Sequence, residues 1–171
     1  MFYELIGVVF AGVAAGGVAS LLRRPVRVLP RWSVPLAAGG AMLLTAISLE
    51  YSWFGRTIAG LPEGVEVALT NESRAPWRPW TYVAPYTDRF VAVDRATVLT
   101  SRTVEGQRVA EVFLFARWNP TRQVRVAFDC AAGRQAPLVG GATISAEGRV
   151  DGVAWRETGL DDPVTRMACA A

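Results

Sequence analysis

The chain has 171 residues, with 18 Arg, no Lys, no His and 15 Asp+Glu, for a net charge of +3. Without His, the commonest general base, metal ligand and haem ligand is absent, which counts against most metal and acid–base chemistry. The charge is concentrated in one short loop near the N-terminus, so a pI near 9.3 is weak evidence for nucleic-acid binding.

Residues 2–22 and 33–54 are two apolar stretches with a single acid each, Glu4 and Glu50, near their outer ends. About 20 apolar residues at 1.5 Å rise cross a hydrocarbon core of roughly 30 Å, so both predict transmembrane helices. Pro35 stands in the first turn of the second, where its missing N–H costs little. The first stretch opens on Met1-Phe2-Tyr3-Glu4 with no basic residue, which argues for a retained span over a cleaved signal peptide.

The loop at 23–32 carries Arg23, Arg24, Arg27 and Arg31 and no acid. Short basic loops stay cytoplasmic, which places both termini on the far side. The expectation is a two-pass protein of a bacterial inner membrane with a periplasmic C-terminal domain. Trp32 marks one interface; Tyr3, Tyr51, Trp53 and Phe54 mark the other. Small residues form rows on the helices: Gly12, Gly16 and Ser20, with Ala11, Ala15 and Ala19 beside them, and Gly39 and Gly40 in the second helix. Such rows let backbones approach closely. Packing of the two helices on each other uses one row and leaves the other for a further helix.

A linker is expected at 55–64, then a β-rich domain over 65–171. Runs rich in Val, Phe and Thr predict strands at 65–69, 81–83, 90–93, 97–102, 108–117, 123–128, 142–146 and 150–156. Glu105-Gly106 and Asn119-Pro120 predict antiparallel hairpins. Val124, Val126, Phe128 and Cys130 fall on one face, Arg125 and Asp129 on the other. Asp161-Asp162-Pro163 predicts a short C-terminal helix with an Asp cap and Pro in its first turn.

The only cysteines are Cys130 and Cys169. In a periplasmic domain an even pair reads as a disulfide, here tying the terminal helix to the sheet. A closed loop of roughly 40 residues contributes about 4 kcal/mol in the chain-entropy model. A metal or redox pair is the competing reading, without His or C-x-x-C spacing to support it.

The run Val126-Ala127-Phe128-Asp129-Cys130, with Gly148, Trp155 and Met167-Ala168-Cys169, resembles the bacterial surface-adhesin E-like domain over roughly residues 88–171. The resemblance implies a small antiparallel sheet with a C-terminal helix tied back by a disulfide. It also implies a lipid-anchored surface protein that binds host matrix proteins. Two apolar helices stand in place of that lipid here, so the fold and the disulfide carry over and the adhesion does not.

No P-loop, dinucleotide motif or haem motif is present, and Gly140-Gly141 has no helix after it to cradle a phosphate. The acids are scattered. No catalytic, metal or cofactor residues are assigned. The most distinctive segment is Ala75-Pro76-Trp77-Arg78-Pro79-Trp80-Thr81-Tyr82. Trp77, Arg78, Trp80 and Tyr82 form either a rigid surface for a partner or the bilayer interface, or a cover for one sheet edge. The expected function is that of a non-enzymatic accessory subunit of an integral membrane complex, respiratory or photosynthetic, in contact with the lipid bilayer and not with nucleic acid. The alternative is a periplasmic ligand- or polymer-binding module related to adhesins.

Overall fold

The structure, a computed structural model, describes residues 2–25, 30–140, 142–145 and 149–170. It divides into two units, Met1–Arg56 and Thr57–Ala171.

The first unit holds α1 (Phe2–Leu22) and most of α2 (Ser33–Ala59). Both are long and apolar enough to cross a membrane, with mean hydropathies of 2.2 and 1.4 over their best windows. The two pack against each other through small residues. A β-carbon added to Gly12 would lie 2.3 Å from Met42 Cε, so only glycine admits that methionine. At Gly16 the same addition would lie 3.4 Å from Ala38 Cβ. Near the start of α1 and the end of α2, Arg56 Nη2 donates to Glu4 Oε1 at 3.0 Å.

The second helix runs five residues past the expected end at 54, and the linker shrinks to 60–64. Arg56 explains part of this, because its guanidinium also donates to the Leu49 carbonyl one face back, at 3.3 Å. The helix stops where Gly60 and Leu61 tighten to i−3 bonds, on Thr57 and Ile58, just before Pro62.

The second unit is a curled antiparallel sheet with one short helix packed on it. Six strands, β1 (Val65–Ser73), β2 (Tyr86–Thr100), β3 (Gln107–Ala116), β4 (Asn119–Asp129), β5 (Arg134–Pro137) and β8 (Arg156–Glu157), lie in that order. Between β5 and β8, β6 (Thr143–Ile144) and β7 (Val150–Asp151) form a separate two-stranded pair. α3 (Pro163–Cys169) begins as its sequence predicts: Asp162 accepts the Thr165 N–H at 2.8 Å and Pro163 fills the first turn.

Several strand expectations are corrected. The segment 81–83 is not a strand; Pro79–Tyr82 is a 3₁₀ turn. Pro79 fixes φ and has no N–H for a ladder. The runs 90–93 and 97–102 belong to one strand with an irregularity between Asp94 and Leu99. There Asp94 turns its own carboxylate to the Ala96 N–H at 2.9 Å, which bends the strand without ending it. The run 150–156 breaks into β7 and β8 at Gly152, whose φ is +74°. The hairpin near Asn119-Pro120 is present, but its two-residue loop is Arg117-Trp118, with Ala116 paired to Asn119.

The core lies between α3 and one sheet face: Val93, Ala110, Val112, Phe128 and Ala168 are buried there, with Val126 and both cysteines against them. On the opposite face Val109, Ala127 and Val150 are buried beside Leu138, Val153 and Trp155. The face assigned to Val126, Phe128 and Cys130 is therefore the α3 face.

Candidate functional site

The two ends of the sheet are built differently. At one end the chain comes out of the linker into Val65, β2 turns into β3, and β4 runs into the cysteine turn. Cys130 and Cys169 are bonded, with Cα atoms 5.7 Å apart, inside the range of about 5.5–6 Å that the bridge requires. Gly106 fits between strands here. Its φ is +79°, and its carbonyl accepts the Cys130 N–H at 2.9 Å. Arg108 donates to the last carbonyls of α3, Ala168 at 3.1 Å and Cys169 at 2.8 Å, where a cation suits the helix C-terminus. Asp129 accepts from the Ala131 and Ala132 N–H groups and from the Arg134 guanidinium. Burial pushes its carboxyl up, but Arg134 and those two N–H groups outweigh it and hold the pKa below the usual carboxylate range.

The other end carries the aromatic segment. Ala75 to Arg78 is a β-turn closed by the Arg78 N–H on the Ala75 carbonyl at 2.9 Å, with Pro76 at its second position. That geometry puts Trp77 at the apex, 76% exposed. Thr81 is fully buried and locks the segment: its hydroxyl donates to the Arg78 carbonyl at 2.7 Å and accepts the Ala75 N–H at 3.0 Å. Arg78 donates to the Tyr86 hydroxyl at 3.2 Å and lies 5.5 Å from that ring's centroid. Arg78 thus contacts Tyr86, a buried strand residue.

The β3–β4 hairpin tip is bonded to the first residues of β2, where the Arg117 N–H donates to the Asp88 carbonyl at 2.8 Å. Arg117 is buried and sits 5.2 Å from the Trp118 ring, leaving Trp118 58% exposed. Sequence reasoning missed Trp118; its position between a strand run and Asn119-Pro120 is the signal that would have found it. Among the described residues of 65–170, eleven large hydrophobic side chains are left exposed, and seven lie at or toward this end: Leu69, Trp77, Trp80, Tyr82, Val83, Leu114 and Trp118.

The helix positions separate into two groups. Gly12 and Gly16 form the seam with α2. Ala11, Ala15 and Ala19 are half-buried, and Ser20 is exposed. A β-carbon added at Gly39 or Gly40 meets nothing within 4 Å, so these two are not in the seam. Arg24 and Arg31 are exposed and Arg23 is half-buried; Arg27, together with Gly141 and Gly148, lies outside the described residues.

An open groove of about 300 Å³ runs between α3 and β1, lined by Glu66, Ala68, Arg95, Arg166 and Met167 among others. Arg95 grips Glu66 across it through both carboxylate oxygens, at 3.0 and 3.1 Å. It stands at the small end of the roughly 300–1,000 Å³ that ligand pockets span. Among the described residues, no three His, Cys, Asp or Glu side chains gather to hold a metal ion. Compared with protein-family models, with characterised proteins and with solved structures, the chain finds no match.

Proposed function

We propose that this chain is a two-pass protein of a bacterial inner membrane that acts by binding, as an accessory subunit of a larger membrane complex. In this reading the Arg-rich loop is cytoplasmic and the β-domain and both termini are periplasmic, following the bias of four Arg against no acid at 23–32. A respiratory or photosynthetic complex is the setting we propose. Kinship with the surface-adhesin E-like domain belongs to the same proposal, supported by the helix tied back through Cys130 and Cys169.

One observation carries the partner-binding reading. The helix seam engages Gly12 and Gly16, yet Gly7, Gly17, Gly39, Gly40 and Gly55 are also helical glycines and meet nothing within 4 Å. Glycine lowers helix stability by about 1 kcal/mol relative to Ala, so these five glycines outside the seam are a cost that close approach of another helix would offset. Association in lipid depends on such packing, because the hydrophobic effect contributes little between helices there.

The test is a native gel of protein extracted in mild detergent, comparing wild type with Gly39→Ile/Gly40→Ile. The wild type should run as part of a larger assembly, and the variant should leave it with the Cys130–Cys169 bridge intact. Gly12→Ile is the internal control, since it clashes with Met42 and breaks the hairpin itself. A wild type that runs alone in several mild detergents, or a variant that keeps every partner, would reduce the helices to an anchor.

A further inference from the structure

We infer that the aromatic end of the sheet docks on an anionic lipid headgroup surface. The inference rests on the membrane reading above and adds a ligand class for the domain itself.

Charge supports it first. Residues 57–171 carry thirteen Arg and thirteen Asp+Glu and are neutral in sum. The aromatic end is not neutral: residues 72–89 and 114–122 hold five Arg against Glu72 and Asp88, a net +3. The remainder of the domain therefore carries −3, and the domain is an electrical dipole with its positive pole at the aromatic end. Such a dipole is oriented by a negative surface. Anionic headgroups attract basic residues close to the surface.

Side-chain type supports it next. Trp and Tyr favour headgroup depth, with an apolar ring and a polar handle. Here Trp77, Trp80 and Tyr82 stand exposed on the reversal that leads into β2, and Trp118 stands exposed on a turn bonded to β2 at Asp88. Arg74 and Arg122 are exposed around them, and Arg89 keeps two thirds of its side chain exposed despite a 3.7 Å contact with Asp88. Buried Thr81 fixes the backbone of the segment, so little backbone ordering entropy is lost on docking. The same chain carries two helices long and apolar enough to cross a membrane.

The test uses the full chain in nanodiscs of phosphatidylcholine alone, and of phosphatidylcholine with roughly a third phosphatidylglycerol, read by amide hydrogen exchange. Exchange at 74–83 and 116–119 should slow at least about tenfold in the anionic discs and recover at about 0.5 M salt. Arg74→Gln/Arg89→Gln/Arg122→Gln should abolish the slowing, while exchange at 125–130 and 163–169 stays unchanged and reports an intact fold. Equal exchange in both lipids, or slowing that survives high salt, overturns the proposal. So does slowing that appears only when a protein partner is added, which would assign the surface to an acidic protein. Failure of the chain to enter nanodiscs overturns the membrane reading itself, a result distinct from insertion with an unprotected aromatic end.

Discussion

The two ends of the β-domain, one strand length apart, spend their side chains in opposite ways. The nine residues of β1 span about 30 Å between them. At the cysteine end, polar and sulfur groups face one another: Cys130 with Cys169, Asp129 with Arg134, Arg108 with the end of α3. At the aromatic end Thr81 satisfies the backbone, and Trp77, Tyr82 and Trp118 are left to solvent. The difference teaches that the bonds bracing the fold gather at one end and the exposed rings at the other. Substitutions at the two ends should therefore fail in different measurements.

The largest effect is expected at the staple. Cys169→Ser should lower stability by about 2–5 kcal/mol, read from urea unfolding, with no direct effect on the aromatic end. An equal stability for reduced and oxidised protein would deny the staple that role. Thr81→Val comes next. It keeps the shape but strips the buried Ala75 N–H and Arg78 carbonyl of their hydroxyl partner, at about 1–3 kcal/mol. Faster hydrogen exchange should appear at 74–83 before anywhere else; uniform loosening would mean that the two ends are not separable.

Much of the cysteine end was legible in the sequence, and little of the aromatic end's geometry. Asp162-Pro163 fixes α3 by a purely local signal, a side-chain cap and a missing N–H. Glu105-Gly106 marks a turn for the same reason. The cysteine pairing followed from there being only two. By contrast, the course of β2 depends on Asp94 bonding its own neighbour while Gly64 accepts the Arg95 N–H at 2.9 Å, a contact with a residue far away in the sequence. Local composition reads Asp94-Arg95 as a turn. The 79–82 segment has strand-like Trp, Thr and Tyr, but Pro79 and the Thr81 hydroxyl override propensity. Trp118 was overlooked because its exposure depends on Arg117 being buried beside it. The sequence ends α2 at 54, where Gly55 opens the expected linker, and the bond from Arg56 to Glu4, 52 residues away, leaves no local signal.

The smallest expected effect sharpens the picture of the cysteine turn. The folded pKa of Asp129 lies below its ordinary value, so its contribution is fully present above the unfolded pKa of about 3.9 and is lost as pH falls through the lower folded value. Unfolding of wild type between about pH 5 and pH 2 should show a slightly steeper loss than Asp129→Asn. Identical slopes would mean that the Arg134 and backbone contacts do not favour the charged form.

The division between a stabilising end and a binding end is tested most directly by thermal unfolding of the full chain carrying Trp77→Ser/Trp118→Ser. Exposed residues without structural duty change stability by about 0.5 kcal/mol or less, so the midpoint should stay within about 3 °C of wild type. A fall as large as that caused by Cys169→Ser would contradict the account, because the aromatic rings would then be part of what holds the sheet together.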